Sequence, residues 1–395
     1  MKKIVFIANN NVGTGFSGGD RIFIEFLKNW KDKADLVLFG SEEAIEMIKK
    51  RGVDVKFIQT DKVNKSMPGG IFDFISHIFR RTSKGLSSIK KNREILKNAD
   101  YVYSVSDFYP DFIPAFYLKL KNPKIKWIAG YYLFAPHPFQ KDSPYKGKQW
   151  LRGFFYWFIQ LFSHFLIKKF ADYVFVTNEP DRKRFVCRRL SEDKVIAIRG
   201  GVDIDMADSV PEESEKKYDV VFIGRFHPTK GVLELIDAWK IVCEKKPDAK
   251  LALIGVGGLE QEMRDKVKEY HLEDRVDFLG FVDGLEKYRI FKKCKVSLYP
   301  ATLDHWSMAP VEAMAAGLPL VTFDVGTLKY LNPSGMIRVP CFDVSKYASG
   351  ILDLLNDDSL YKKMKTEAVN WARKWDWKVR SREIYDILFK GNKDE

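Results

Sequence analysis

The chain has 395 residues, 46% hydrophobic and 14% aromatic, which suits two buried cores of about 200 residues each and argues against disorder. Its net charge of +13 is lopsided: residues 1–200 carry 36 Lys and Arg against 20 Asp and Glu, a net +16, whereas residues 201–395 carry 30 against 33, a net −3. One half is therefore expected to meet something anionic, and with no recognition motif beside the charges, nucleic acid is set aside. Cys187, Cys243, Cys294 and Cys341 stand roughly fifty residues apart with no C-x-x-C pair, a spacing that argues against a zinc cluster and for a reducing, cytoplasmic compartment.

The first apolar run, residues 4–8, is shorter than the core of a secretion signal and is expected to be a buried strand. Further short apolar runs follow at 35–39, 53–58, 101–105, 126–131, 173–177 and 195–198, alternating with amphipathic stretches. After an acid-rich linker at 203–217 a second series opens at 220–224, 251–255, 276–280, 296–299 and 320–323. This rhythm predicts an α/β protein of two doubly wound, Rossmann-like parallel sheets facing a cleft. The expected domains are 1–205 and 206–375, with a C-terminal helix at about 376–395 packing back on the first.

Two segments break the rhythm. Residues 71–79 are apolar and are followed by Arg80, Arg81, Lys84, Lys90, Lys91 and Arg93. Residues 150–167 are intensely aromatic and flanked by Lys146, Lys148, Arg152, Lys168 and Lys169. The apolar core of the second is shorter than the ~20 residues of a spanning helix and is interrupted by Gln160, Ser163 and His164. Phe154, Phe158, Leu161, Phe162 and Phe165 recur at helical spacing, so a buried stripe is expected: either in the first core or among the headgroups of an anionic membrane, with Tyr156 and Trp157 off the stripe.

Two clusters carry chemistry. After the strand at 220–223 comes Gly224-Arg225-Phe226-His227-Pro228-Thr229-Lys230-Gly231, where a glycine admits close backbone approach and Arg225 and Lys230 offer a fork and a point charge to phosphate oxygens. Such a pair neutralises a leaving diphosphate, where charge builds during glycosyl transfer. After the strand at 296–299, Asp304 and Glu312 stand eight residues apart, placing Asp304 in a loop and Glu312 in the following helix. The amides near Ser307, Met308 and Ala309 then open that helix towards a phosphate.

Taken with Ala313-Met314-Ala315-Ala316-Gly317-Leu318-Pro319, these clusters resemble the retaining glycosyltransferases of family 4, which have the GT-B fold. Gly18-Gly19-Asp20-Arg21, Ala171-Asp172, Gly201-Val202-Asp203 and residues 371–377 extend the resemblance along most of the chain. It implies a nucleotide-sugar donor whose diphosphate meets Arg225 and Lys230 and whose ribose meets Glu312. It further implies that Asp304 reaches the sugar, that Gly18 and Gly19 close over the phosphates, and that neither a metal nor another cofactor is needed.

Three positions depart from the family pattern. Asp304 stands where a glutamate is usual, Ser307 replaces a glycine, and Tyr131 or Tyr132 occupies the place of a histidine that touches the donor sugar, with His137 farther along the loop as a substitute. The expected activity is hexosyl transfer from a UDP- or GDP-sugar to a lipid-linked or glycan acceptor, by a peripheral protein at the cytoplasmic membrane face. The competing expectation is a catalytically weak or inactive relative that binds a nucleotide, glycan or partner enzyme.

Overall fold

The computed structural model describes residues 1–10, 17–62, 71–140, 150–302, 308–325 and 333–390. It divides into two compact units, Met1–Arg199 with Ser381–Glu395, and Gly200–Arg380.

In the first unit the elements run β1 Lys2–Ala8, α1 Gly18–Trp30, β2 Ala34–Gly40, α2 Glu42–Lys49, β3 Lys56–Gln59, α3 Ile71–Lys91, α4 Arg93–Leu96, β4 Tyr101–Ser104, α5 Tyr109–Lys121, β5 Lys126–Gly130, α6 Trp150–Phe170, β6 Tyr173–Val176, α7 Glu179–Phe185 and β7 Val195–Ala197. The strands are parallel in the order β3-β2-β1-β4-β5-β6-β7. Ile4 through Ile7 are fully buried, as a central parallel strand covered on both faces requires, and Val5 pairs with Val37 on one side and Val102 on the other. The strand order reverses between β1 and β4, leaving a crevice at their C-terminal ends. The run expected as a strand at 53–58 begins instead at Lys56. Gly52, at φ +73°, ends α2, and Val53 folds back so that its amide donates to the Ile48 carbonyl (3.4 Å).

The second unit contains α8 Ile204–Asp208, β8 Tyr218–Ile223, α9 Val232–Lys245, β9 Leu251–Ile254, α10 Glu260–Glu269, β10 Val276–Gly280, α11 Leu285–Lys292, β11 Cys294–Tyr299, α12 Met308–Ala315, β12 Leu320–Phe323, β13 Met336–Val339, α13 Val344–Asn356 and α14 Asp358–Arg373. Its parallel sheet runs β10-β9-β8-β11-β12-β13, with the reversal between β8 and β11. The edge strand β13 has no counterpart in the expected series, because a four-residue, half-buried strand with Arg338 in its middle carries no apolar run. Val202 closes the unit on itself: its amide donates to the Trp375 carbonyl (2.9 Å) and its carbonyl accepts from the Trp377 amide (3.0 Å).

The last helix, α15 Trp377–Phe389, carries the chain back into the first unit. There the Trp30 indole donates to the Ser381 carbonyl (2.9 Å), and its ring meets Tyr385 and Phe389 with centroids 5.8 and 5.7 Å away. The Tyr101 hydroxyl donates to the Leu388 carbonyl (3.1 Å).

Of the two places expected for the stripe of α6, the structure sets aside the first core. Phe158, Leu161, Phe162 and Phe165 are not a buried stripe: each is between 48% and 59% exposed, while Gln160 and Ser163 face inward at 4% and 0%. The Gln160 amide decides the rotation. It donates to the buried Asp107 carboxylate (2.9 Å) and the Leu133 carbonyl (2.7 Å), and its oxygen accepts from the Ala135 amide (2.6 Å). Turning the phenylalanines inward would take the Gln160 amide from its three partners, the buried Asp107 carboxylate among them, which costs more than leaving aromatic surface in water.

Candidate functional site

The residues expected to hold a donor diphosphate gather at the C-terminal ends of β8 and β11, where the second sheet reverses order. Leaving β8, the backbone alternates: Arg225 is exposed, whereas Phe226 is buried at 1%. The loop is pinned from below by Gly255, where a Cβ would lie 1.9 Å from the Gly224 carbonyl oxygen, and by the Phe226 amide donating to the Val256 carbonyl (3.1 Å). His227 then caps a single tight turn, Pro228–Lys230, its ring nitrogen accepting from the Thr229 amide (3.3 Å).

Gly231 ends that turn at φ +62°, a conformation other residues avoid, and a Cβ there would sit 1.9 Å from the Pro300 carbonyl oxygen. Only glycine lets the turn press onto the end of β11. The Lys230 ammonium reaches across to hydrogen-bond the Tyr299 hydroxyl and lies 4.9 Å from that ring's centroid. Burial first, then the charges of Arg225 and Lys230, lower the pKa of His227. Arg225 and Lys230 thus both lie close enough to His227 to disfavour its charged form.

Glu312 lies in the second turn of α12, only 2% exposed. Its Oε2 accepts from the Lys287 ammonium (2.8 Å), itself 2% exposed and within 3.2 Å of Asp283. Lys287 comes from α11, twenty-five positions earlier, and no local pattern singles it out. Buried and charge-paired, it fixes the orientation of the Glu312 carboxylate, whose oxygens are of the kind that accept from hydroxyls. Met308 and Ala309 form the first turn of α12, where the amides have no intrahelical partner. Asp304 and Ser307 lie outside the described residues. Among the described residues no cluster of three or more His, Cys, Asp or Glu is placed to hold a metal ion.

In the first unit, Gly18 and Gly19 open α1 behind a reciprocal cap: Asp20 donates its amide to the Ser17 hydroxyl (3.2 Å), and Ser17 donates its amide to the Asp20 carboxylate (2.8 Å). A Cβ on Gly19 would touch the Tyr132 ring at 3.1 Å. Of the two adjacent tyrosines, it is therefore Tyr132 that faces the glycine loop, its hydroxyl shared with Tyr103. Tyr131 points into the core at 1% exposure, its ring 4.5 Å from Phe134 and 4.9 Å from Phe185, and burial raises its pKa far above the usual range. Of the two alternatives, Tyr131 or Tyr132, the structure buries the first and turns the second towards the helix start at Gly19. His137 is exposed and sits in an aromatic group, 4.9 Å from Trp157 and 5.7 Å from Phe139.

Two doubly wound parallel sheets, of seven and six strands, in one chain are the architecture of the GT-B fold. Residues 203–371 match the family described as "Glycosyl transferases group 1". The phosphatidyl-myo-inositol mannosyltransferase of Mycobacterium leprae is 29% identical over 212 residues, 52% of this chain and 56% of the relative. The poly(glycerol-phosphate) alpha-glucosyltransferase of Bacillus subtilis is 22% identical over 208 residues, 52% of this chain and 30% of the relative. The chain thus spans about half the length, or less, of these curated relatives. The fold is also similar to Anabaena HepE, solved with UDP and glucose (TM-score 0.68, 17% identity, 98% and 99% of the two chains), and to sucrose-phosphate synthase from Thermosynechococcus elongatus (TM-score 0.71, 17% identity, 99% of each).

Proposed function

We propose that this protein is a retaining, metal-independent glycosyltransferase that moves a hexose from a UDP- or GDP-sugar to a lipid-linked or glycan acceptor at the anionic cytoplasmic face of a membrane. The observation that carries the reading is the glycine-bounded turn bearing Arg225 and Lys230, pressed onto the end of β11, with the buried, lysine-paired Glu312 on the helix that follows that strand. As the bond from sugar to diphosphate breaks, negative charge grows on the departing phosphate. Fixed cations on that turn stabilise it without reorganising. Glu312 holds the ribose by its hydroxyls and so fixes where the diphosphate lies. HepE, solved with UDP-glucose, and the mannosyl- and glucosyltransferase relatives agree with a donor of this chemistry, and the +16 of residues 1–200 with an anionic acceptor side.

The test is a panel of UDP- and GDP-sugars with detection of released nucleotide, with and without membrane lipid extract and with and without EDTA. Lys230→Ala is expected to lower turnover by about 100- to 1,000-fold, and Glu312→Ala to raise the donor KM, the latter assayed below its lowered melting temperature because it orphans the Lys287 charge. Wild-type turnover in both would sink the assignment. A rise in melting temperature with nucleotide, but no donor consumed with any acceptor, would favour the non-catalytic reading.

A further inference from the structure

We propose that α6 is a membrane-docking helix, lying along an anionic bilayer surface with Phe158, Phe162 and Phe165 among the acyl-chain ends and Lys169 among the headgroups. The inference rests on the membrane-side acceptor reading above and names the surface that would serve it.

The helix is amphipathic in the opposite sense to a core helix. Leu151, Phe158, Phe162, Phe165 and Lys169 follow one another at seven, four, three and four residues, a single stripe on a helix, and all are exposed. The opposite stripe buries Ile159, Gln160, Ser163 and Ile167. The rotation is locked by the bonds of Gln160 to Asp107, Leu133 and Ala135, so the aromatic face cannot turn inward without breaking them. The patch continues beyond the helix: Phe139, 66% exposed, places its ring 5.6 Å from Trp150 and 6.2 Å from Phe154. A continuous apolar surface of this kind marks an interaction site.

The chemistry of its surroundings selects the occupant. Lys169 continues the stripe, its ammonium 5.8 Å from the Phe165 ring centroid, so an aromatic floor and a cation are offered together. Lys168 lies beside it, and the first 200 residues carry a net +16. A second copy of this chain would bring a like-charged face, whereas anionic lipid satisfies the lysines and the phenylalanines at once. Among the described residues no helix is long and apolar enough to cross a membrane, which leaves lying in the interface as the mode of contact. Through Gln160 the docked helix is joined to the loops that follow β4 and β5, at the ligand-bearing edge of the first sheet.

The test is co-sedimentation of the full chain with vesicles of phosphatidylcholine alone and of phosphatidylcholine mixed equally with phosphatidylglycerol. The wild type is expected to pellet with the anionic vesicles and to be released by high salt. Phe158→Ser/Phe162→Ser/Phe165→Ser and Lys168→Gln/Lys169→Gln are each expected to weaken binding by about tenfold or more. Both variants should stay folded, because Phe158, Phe162 and Phe165 are 49–59% exposed and Lys168 gives up a surface hydrogen bond to the Arg184 carbonyl (3.0 Å). A wild type that stays in the supernatant at low salt, or a triple variant that pellets as well as the wild type, would overturn the proposal. So would light scattering that shows a dimer abolished by the triple substitution with no vesicle binding. Donor turnover in vesicle-free buffer separates the two readings: its loss with docking intact counts against the transferase, and docking lost with turnover intact counts against the helix.

Discussion

At the scale of single residues, the second unit stakes a good deal on one buried ion pair. Lys287 and Glu312 are each nearly inaccessible, and their charges answer each other at 2.8 Å. Removing one partner leaves the other charged in a poor solvent, which costs about 3–5 kcal/mol, whereas removing both leaves no orphan charge. Lys287→Met is therefore expected to lower the unfolding free energy of the second unit, read from urea titration, by that amount. Lys287→Met/Glu312→Gln should regain most of it, while the double variant still loses affinity for a nucleoside diphosphate sugar. Equal stability of the single variant and wild type would show that the pair is not needed for the carboxylate to stay buried. Tyr131 teaches a complementary point. Two neighbouring tyrosines on one loop face opposite environments, and Gly19 selects Tyr132 as the one at the glycine-bearing helix start.

At the scale of elements, the site depends on glycines for two separable reasons. Gly231 needs both a left-handed backbone and bare space against Pro300, whereas Gly52 has φ +73° with nothing within 4 Å of a Cβ. Gly52→Ala should thus cost only the backbone strain, about 1–2 kcal/mol. Gly231→Ala should cost that strain and also push the turn off β11, lifting Lys230 from Tyr299. The expected readout is a clearly larger fall in thermal stability for Gly231→Ala, accompanied by loss of nucleotide-induced stabilisation, which Gly52→Ala retains. Equal effects would mean that the Pro300 contact relaxes without consequence. Helix α6 shows the same logic in reverse, since one glutamine amide sets the rotation of 21 residues and exposes what an apolar stripe would ordinarily hide.

At the scale of the whole molecule, acidity should act on the first unit through two buried carboxyls near its sheet crevice. Burial pushes Asp107 up to about 6 and Asp111 to about 7, although Asp111 accepts from the Asn9 amide (2.6 Å), the Asn10 amide (3.0 Å) and the Ser106 hydroxyl (2.5 Å). Between about pH 4 and these values the unfolded chain has released protons that the folded unit still holds, so the folded state binds more protons. These two groups therefore contribute stability that is fully present at acid pH and is lost as pH rises from about 4 towards about 7. Asp111→Asn keeps an acceptor for the two amides and offers a donor to Ser106. Its melting temperature should consequently fall less steeply over that window than the wild type's, and parallel profiles would rule out Asp111 as a source of the slope. Chain topology matters at this scale too, because Ser381 and Leu388 supply partners to Trp30 and Tyr101 more than 280 positions away.

The sequence by itself determined the class of fold and located the Arg225–Lys230 turn and Glu312 after two strands of the second sheet. Alternating apolar runs and helices dictate parallel sheets, and a glycine-bounded turn with Arg225 and Lys230 is local chemistry that survives without knowledge of neighbours. Tertiary structure decided what depends on burial and on distant partners. Lys287 reaches Glu312 from another helix, Gln160 fixes the rotation of α6 through contacts more than twenty positions away, and Tyr131 withdraws into a core that only the assembled sheet creates. Periodicity reports which residues share a helical face, but which face meets the protein is settled by the polar groups that must be satisfied once the face is closed.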